Sequence, residues 1–123
     1  YGENAQIHGG GIGLVLWGIP LRLVMVYHVT WLVNSATHTF GYRNFDCPDL
    51  SRNCWWVALL TFGEGWHNNH HRYQSSVRQG FYWWEIDLTY YGLKIMSWFG
   101  LIYDLKPVPQ HILDDGQRNA RRQ

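Results

Sequence analysis

Apolar residues are distributed unevenly along this chain. Residues 11–33, GIGLVLWGIPLRLVMVYHVTWLV, are apolar at nearly every position rather than at every third or fourth. A helix that is apolar all round seeks lipid or complete burial, and about 20 such residues cross a bilayer core of roughly 30 Å. The stretch therefore reads as a transmembrane helix. Pro20 removes one main-chain N–H and favours a kink. Arg22, near the middle, would cost about 2.5–3.5 kcal/mol to insert unless it faces protein or snorkels. After residue 33 the apolar runs shorten. Residues 42–53, YRNFDCPDLSRN, carry turn chemistry, and residues 54–63, CWWVALLTFG, are too short to span and read as a core or interfacial helix. Residues 64–79 are expected to be mostly helical, with Gly80 as the stop. Beyond it Asp87 suits an N-cap, and Tyr90, Tyr91, Lys94, Ile95, Trp98, Leu101 and Ile102 recur at helical spacing until Pro107 and Pro109. The closing DDGQRNARRQ is expected to be a disordered polar tail.

The fold expected from this pattern is an all-α membrane protein fragment. It has a leading loop over 1–10, one transmembrane helix over 11–33, a histidine-rich cap with interfacial helices over 34–110, and the tail over 111–123. Charge gives it a direction. Nine of the ten Lys and Arg residues follow the span and none precedes it, so the positive-inside rule puts the cap on the cytoplasmic side. Aromatic residues make up 17% of the chain, which suits a protein with many dry–wet boundaries. The net charge of +1 supports no nucleic-acid footprint. Cys47 and Cys54 lack metal or redox spacing and are expected to be free thiols.

The candidate chemistry lies in EGWHNNHHRY, residues 64–73. His67, His70 and His71 stand at i, i+3 and i+4, which is one face of a helix, with Asn68 and Asn69 pointing elsewhere. Three neutral imidazoles on one face need partners, and a metal ion satisfies all three. Asn34 and His38, in NSATH, are one turn apart and offer a further imidazole. The zinc-protease pattern HExxH is absent, because Glu64 lies outside the histidine pair. Nitrogen ligands suit iron, zinc and copper alike. Glu64 is expected to accept a hydrogen bond from an imidazole and fix its tautomer.

TWLVNSATH, NCWWVALLTFGEGWHNNHH, RQGFYWWEIDLTYY and GLIYDLKP, in that order, resemble the C-terminal half of membrane fatty acyl desaturases. The resemblance is strongest to the stearoyl-CoA (delta-9) type in its bacterial form, and it covers residues 9–109. It implies an oxidoreductase with two non-haem iron ions that uses O2 and electrons from a small carrier to place a cis double bond in a saturated fatty acyl chain. His38, His67, His70 and His71 fall on metal-ligand positions, Asn34 on a water-mediated contact to metal, and Thr30 and Trp31 on the lining of the substrate tunnel. His28 matches no ligand. The first two histidine boxes of the family would lie upstream, so the chain is expected to be inactive without the N-terminal half of the same protein. The resemblance further implies a multi-pass membrane enzyme, a fatty acyl-CoA or other acyl thioester substrate, and a ferredoxin or cytochrome b5 as electron carrier. Arg43, Arg72 and Arg78 are candidates to meet that carrier. A lipid hydroxylase of the same diiron class and a non-catalytic zinc-binding membrane module remain as alternatives.

Overall fold

The computed structural model describes residues 3–122, with side chains from residue 11 onward. Five helices follow in order: α1 (Glu3–Thr39), α2 (Trp55–Leu60), α3 (His67–Arg72), α4 (Leu88–Trp98) and α5 (Gln110–Ala120). Among the described residues there is no strand, only isolated bridges from Asn53 to Tyr42 and to Trp66. The chain forms two compact units, one up to Trp31 and one from Leu32 onward. In the first unit α1 is unbroken through Pro20 and exposes apolar side chains all round, including Leu14, Trp17, Val24 and Trp31. Residues 11–39 are long and apolar enough to cross a membrane, with none of the most apolar window buried.

α1 is longer at both ends than its apolar stretch. Its backbone is already helical from Glu3, where a leading loop was expected; Tyr1 and Gly2 lie outside the described residues. It continues to Thr39, so Asn34 and His38 belong to it. Hydropathy marks only the part of a helix with apolar surroundings, whereas main-chain hydrogen bonding extends as far as the dihedrals permit.

Two apolar clusters organise the second unit. Val33 and Ala36 of α1 pack with Cys54 and Val57. Phe45, Cys47, Phe81, Tyr82 and Ile112 form the other cluster. Both cysteines are buried and free, as expected. The chain segments of the two clusters are joined by buried polar side chains centred on Glu85. Its Oε1 accepts from the Tyr42 hydroxyl at 2.7 Å, Asn44 Nδ2 at 2.7 Å and Asn53 Nδ2 at 3.3 Å. Its Oε2 accepts from Asn69 Nδ2 at 2.6 Å and from the main-chain N–H groups of Phe81 and Tyr82 at 2.7 and 3.1 Å. Burial pushes the Glu85 carboxyl above its ordinary range, while these donors pull it back towards the ionised form.

Other expectations are corrected here. Residues 64–79 are not mostly helical: α3 has only six residues, and turns and loop follow Tyr73. Asn68 and Asn69 explain the difference, because both side chains are fully buried and bonded to loops. Ser, Asn and Asp compete with helical main-chain bonding in this way. α4 starts as expected, with Asp87 accepting from Tyr90 N, but stops at Trp98, before the prolines. Gly100, at φ 72°, takes the chain out of it. The expected disordered tail contains α5, whose Ile112 and Gly116 are buried. An apolar stripe of Ile112, Leu113 and Gly116 within a polar sequence gave the helix its own docking face. A Cβ at Gly116 would lie 2.2 Å from the Tyr82 hydroxyl oxygen, so only glycine allows this approach.

Glu85→Ala would strip six donors of their acceptor at once. The expected loss is about 3–5 kcal/mol, read as a lower melting temperature. Glu85→Gln, which turns an N–H towards donors, should recover little of it. Wild-type stability in both variants would contradict this account of the core.

A candidate metal centre

The histidine helix is held from several sides. Cys54 N donates to Gly65 O at 2.8 Å, and a Cβ at Gly65 would lie 2.0 Å from Ala58 N. Main chain thus packs on main chain two residues before the first histidine, which requires glycine there. Asn68 Oδ1 accepts from the N–H groups of Asn44 and Phe45 at 2.9 and 2.8 Å, and its Nδ2 donates to Phe45 O and Ser51 O. Asn69 Oδ1 accepts from Asn44 Nδ2 and Asn53 Nδ2 at 2.9 and 2.8 Å. Because the Glu85 carboxylate is an acceptor only, each amide facing it must turn its NH2 inward, and this fixes the direction of the whole network.

With two successive asparagines buried, the histidines on the other side of α3 face His38 of α1. Ligand nitrogens of His38, His67 and His71 all lie within 4.8 Å of one another. The ring of His38 is 5.4 Å from that of His67 and 6.1 Å from that of His71, centroid to centroid. The Nε2 atoms of His67 and His71 are 3.0 Å apart. His70 is not part of this trio of mutually close ligand atoms, although its ring lies 6.2 Å from that of His67 and 5.9 Å from that of His71. Asn34 lies one turn before His38 on α1 and is exposed. In the first unit, Thr30 Oγ1 donates to Val26 O at 2.9 Å and Trp31 is 63% exposed.

The carboxylate that orients an imidazole is Asp49, not Glu64. Asp49 Oδ2 accepts from His71 Nδ1 at 2.5 Å. The Nδ1 proton therefore stays on that side and the Nε2 lone pair of His71 faces His67 and His38. Asp49 is itself held below the usual carboxylate range. Burial opposes this, but the Ser51 hydrogen bonds and the nearby His71 outweigh it. Glu64 is exposed and acts on His70 only through its charge, which opposes the lowering of the His70 pKa by burial. Burial first, then the other three imidazoles, pushes His67 down to about 4. It is thus neutral, the form that binds metal, over the physiological range. The nitrogen donors, their proximity and the acceptor behind His71 fit a transition-metal ion such as iron.

The arginines expected to meet an electron carrier are occupied within the chain. Arg43 donates to Cys47 O and Asp49 O, Arg72 to Asp115 Oδ2, and Arg78 to Tyr82 O.

The sequence model of the fatty acid desaturase family matches residues 5–99 of this geometry's chain. The chain belongs to the fatty acid desaturase family. It is 61% identical over 101 residues to an sn-1 stearoyl-lipid 9-desaturase of Synechocystis sp., covering 82% of this chain and 32% of that protein. To the sn-1 stearoyl-lipid 9-desaturase of Anabaena variabilis it is 58% identical over 97 residues, covering 79% and 36%. To an acyl-CoA 5-desaturase of Anemone leveillei it is 47% identical over 103 residues, covering 84% and 32%. The chain thus spans about a third of the length of these curated relatives. Family and candidate span together support membrane association.

Sequence reasoning overlooked Asp49, Asn68, Asn69 and Glu85. The signal for the asparagines was present: two adjacent poor helix formers between metal-ligand candidates need a reason of their own.

Two outcomes follow. A histidine whose folded pKa is depressed binds fewer protons than in the unfolded chain, so its contribution to stability is complete above the unfolded value and lost as pH falls. For His67 in the metal-free protein this window runs from 6.5 down to about 4. Melting temperature against pH should fall there, and His67→Gln should flatten the profile. Asp49→Asn should weaken metal binding about 10–100-fold in chelator competition, and unchanged affinity would show that Asp49 does not act on the metal.

Proposed function

We propose that this chain supplies the last histidine cluster of a diiron fatty acyl desaturase, which introduces a cis double bond at carbon 9 of a saturated acyl chain using O2 and electrons from a small carrier. The supporting observation is the convergence of His38, His67 and His71 in a member of the fatty acid desaturase family. These three residues would hold one iron, with Asn34 contributing through water. His70, whose ring nitrogens are not grouped with those of the trio, would serve the second. The bound irons supply the redox chemistry that an unactivated methylene demands, since it has no acidic proton for a side-chain base.

The chain's own contribution is positional. Asp49 keeps the proton on Nδ1 of His71 and leaves Nε2 free to ligate. Burial keeps His67 unprotonated, so no proton has to leave an imidazolium before metal enters. Thr30 and Trp31 would line a bent acyl tunnel, in which an error of about 1 Å at the reacting carbon can cost roughly 100-fold. The remaining ligands would come from other segments of a longer multi-pass protein, in line with the fraction of the relatives that is matched. The abundance of Lys and Arg after the span supports a cytoplasmic histidine cluster.

The acyl carrier is read differently in light of the relatives. The two at 58–61% identity act on stearoyl-lipid at position 9, whereas the acyl-CoA enzyme stands at 47%. This favours a glycerolipid-bound acyl chain over acyl-CoA.

The test is expression of the full-length protein with a reducing system, with labelled stearoyl glycerolipid and labelled stearoyl-CoA supplied separately. Mass spectrometry should find 9-unsaturated glycerolipid, and His67→Ala or His71→Ala should lower it at least about 100-fold. Product that retains an added oxygen would replace the desaturase reading with a hydroxylase one. Conversion of the CoA ester alone would reverse the carrier assignment.

A further inference from the structure

α5 lies outside residues 5–99 matched by the family model, yet it reaches the histidine helix. Asp115 Oδ2 accepts from Arg72 Nη2 at 3.0 Å, and Arg72 is the last residue of α3, next to His71. The Arg72 guanidinium also lies over the Phe45 ring, 5.8 Å from its centroid. Tyr82 OH donates to Leu113 O at 2.9 Å, and Gly116 sits against Tyr82 and Phe45. A cleft of about 290 Å³ brings Asp115 and Asn119 of α5 into one lining with Asp46, Cys47, Pro48 and His71. α5 thus touches both sides of the His71–Asp49 contact. It holds the helix end through Arg72, and it contributes Ile112 to the cluster with Phe45 and Cys47 that anchors the loop carrying Asp49.

The need for such a hold is physical. A helix of six residues is far below the roughly 12–15 required for stability in isolation. α3 has no side-chain cap on its first turn. Its geometry is therefore set by what grips it, and the C-terminal end bears the ligand His71. As a source of stability, an ion pair with 40% and 45% of its side chains exposed contributes little. Its consequence is directional: it fixes where Arg72, and with it the main chain of His71, ends up.

We infer that α5 is a positioning latch for the metal centre, with Asp115 acting through Arg72 to set how firmly His71 holds its metal. This rests on the reading of the histidine cluster as a metal site. The test uses the full-length, detergent-extracted protein loaded with iron. Iron release to an excess of chelator is followed in the wild type, Asp115→Asn, Asp115→Glu and the exchanged pair Arg72→Asp with Asp115→Arg. Melting temperature and the near-ultraviolet and visible absorption of bound iron are recorded alongside. Asp115→Asn should release iron about 3–10-fold faster, below the range for direct ligand partners, with a changed iron absorption and an unshifted melting temperature. Asp115→Glu and the exchanged pair should restore slow release. Release from Asp115→Asn at the wild-type rate, or a loss explained by a lowered melting temperature, overturns the latch alone. A wild type that takes up no metal overturns the metal-site reading and the latch with it.

Discussion

A single buried carboxylate governs how the histidines meet. Glu85 accepts hydrogen bonds from three separate parts of the chain: Tyr42, Asn44 and Asn53 from the first loop, Asn69 from the histidine helix, and the Phe81 and Tyr82 main chain from the second loop. An ionised group in such a place is tolerable only when every lone pair is engaged, and here each oxygen has three donors. The carboxylate also imposes polarity on its neighbours. The amides of Asn44, Asn53 and Asn69 must present NH2 to it, which leaves the Asn69 oxygen free to accept from Asn44 and Asn53. One side of α3 is locked inward by this network, and the imidazoles are left to face His38.

This arrangement separates two tasks that a histidine-rich stretch would otherwise have to perform together. Imidazoles crowded at 3.0 Å are poor cement for a fold. The asparagines between them carry the structural bonds, and the histidines are free for metal. Asp49 then directs one of them, and burial keeps another unprotonated. Large apolar side chains such as Trp55, Leu59, Trp83 and Trp98 are exposed, consistent with surroundings that are lipid or further protein.

Much of this was legible in the sequence, for reasons that can be stated. The long apolar helix was visible because apolarity at nearly every position marks a helix that seeks lipid or burial. The start of α4 was visible because Asp87 is a strong local signal. His67 and His71 could be paired because i and i+4 share a helix face, and that spacing survives even in a helix of six residues. The extent of α3 was not legible, because the bonds that end it run from Asn68 and Asn69 to loops ten or more residues away. Asp49 was hidden for the same reason: its partner His71 is distant in sequence, whereas Glu64 was nearby and drew the assignment. α5 was missed because its composition is polar overall, and only the placement of Ile112, Leu113 and Gly116 on one side makes it a packed helix.

If the Glu85 network prepares the histidine cluster, α3 must already be formed when no metal is present. Hydrogen exchange of the metal-free full-length protein measures this at the amides of Asn69, His70 and Tyr73, which donate to Asn53 Oδ1, Trp66 O and Asn69 O. The account predicts that these amides exchange slowly without metal and change little when iron is added. Exchange at the rate of an unstructured chain, with protection only after iron binds, would show that the metal organises the helix and would contradict it.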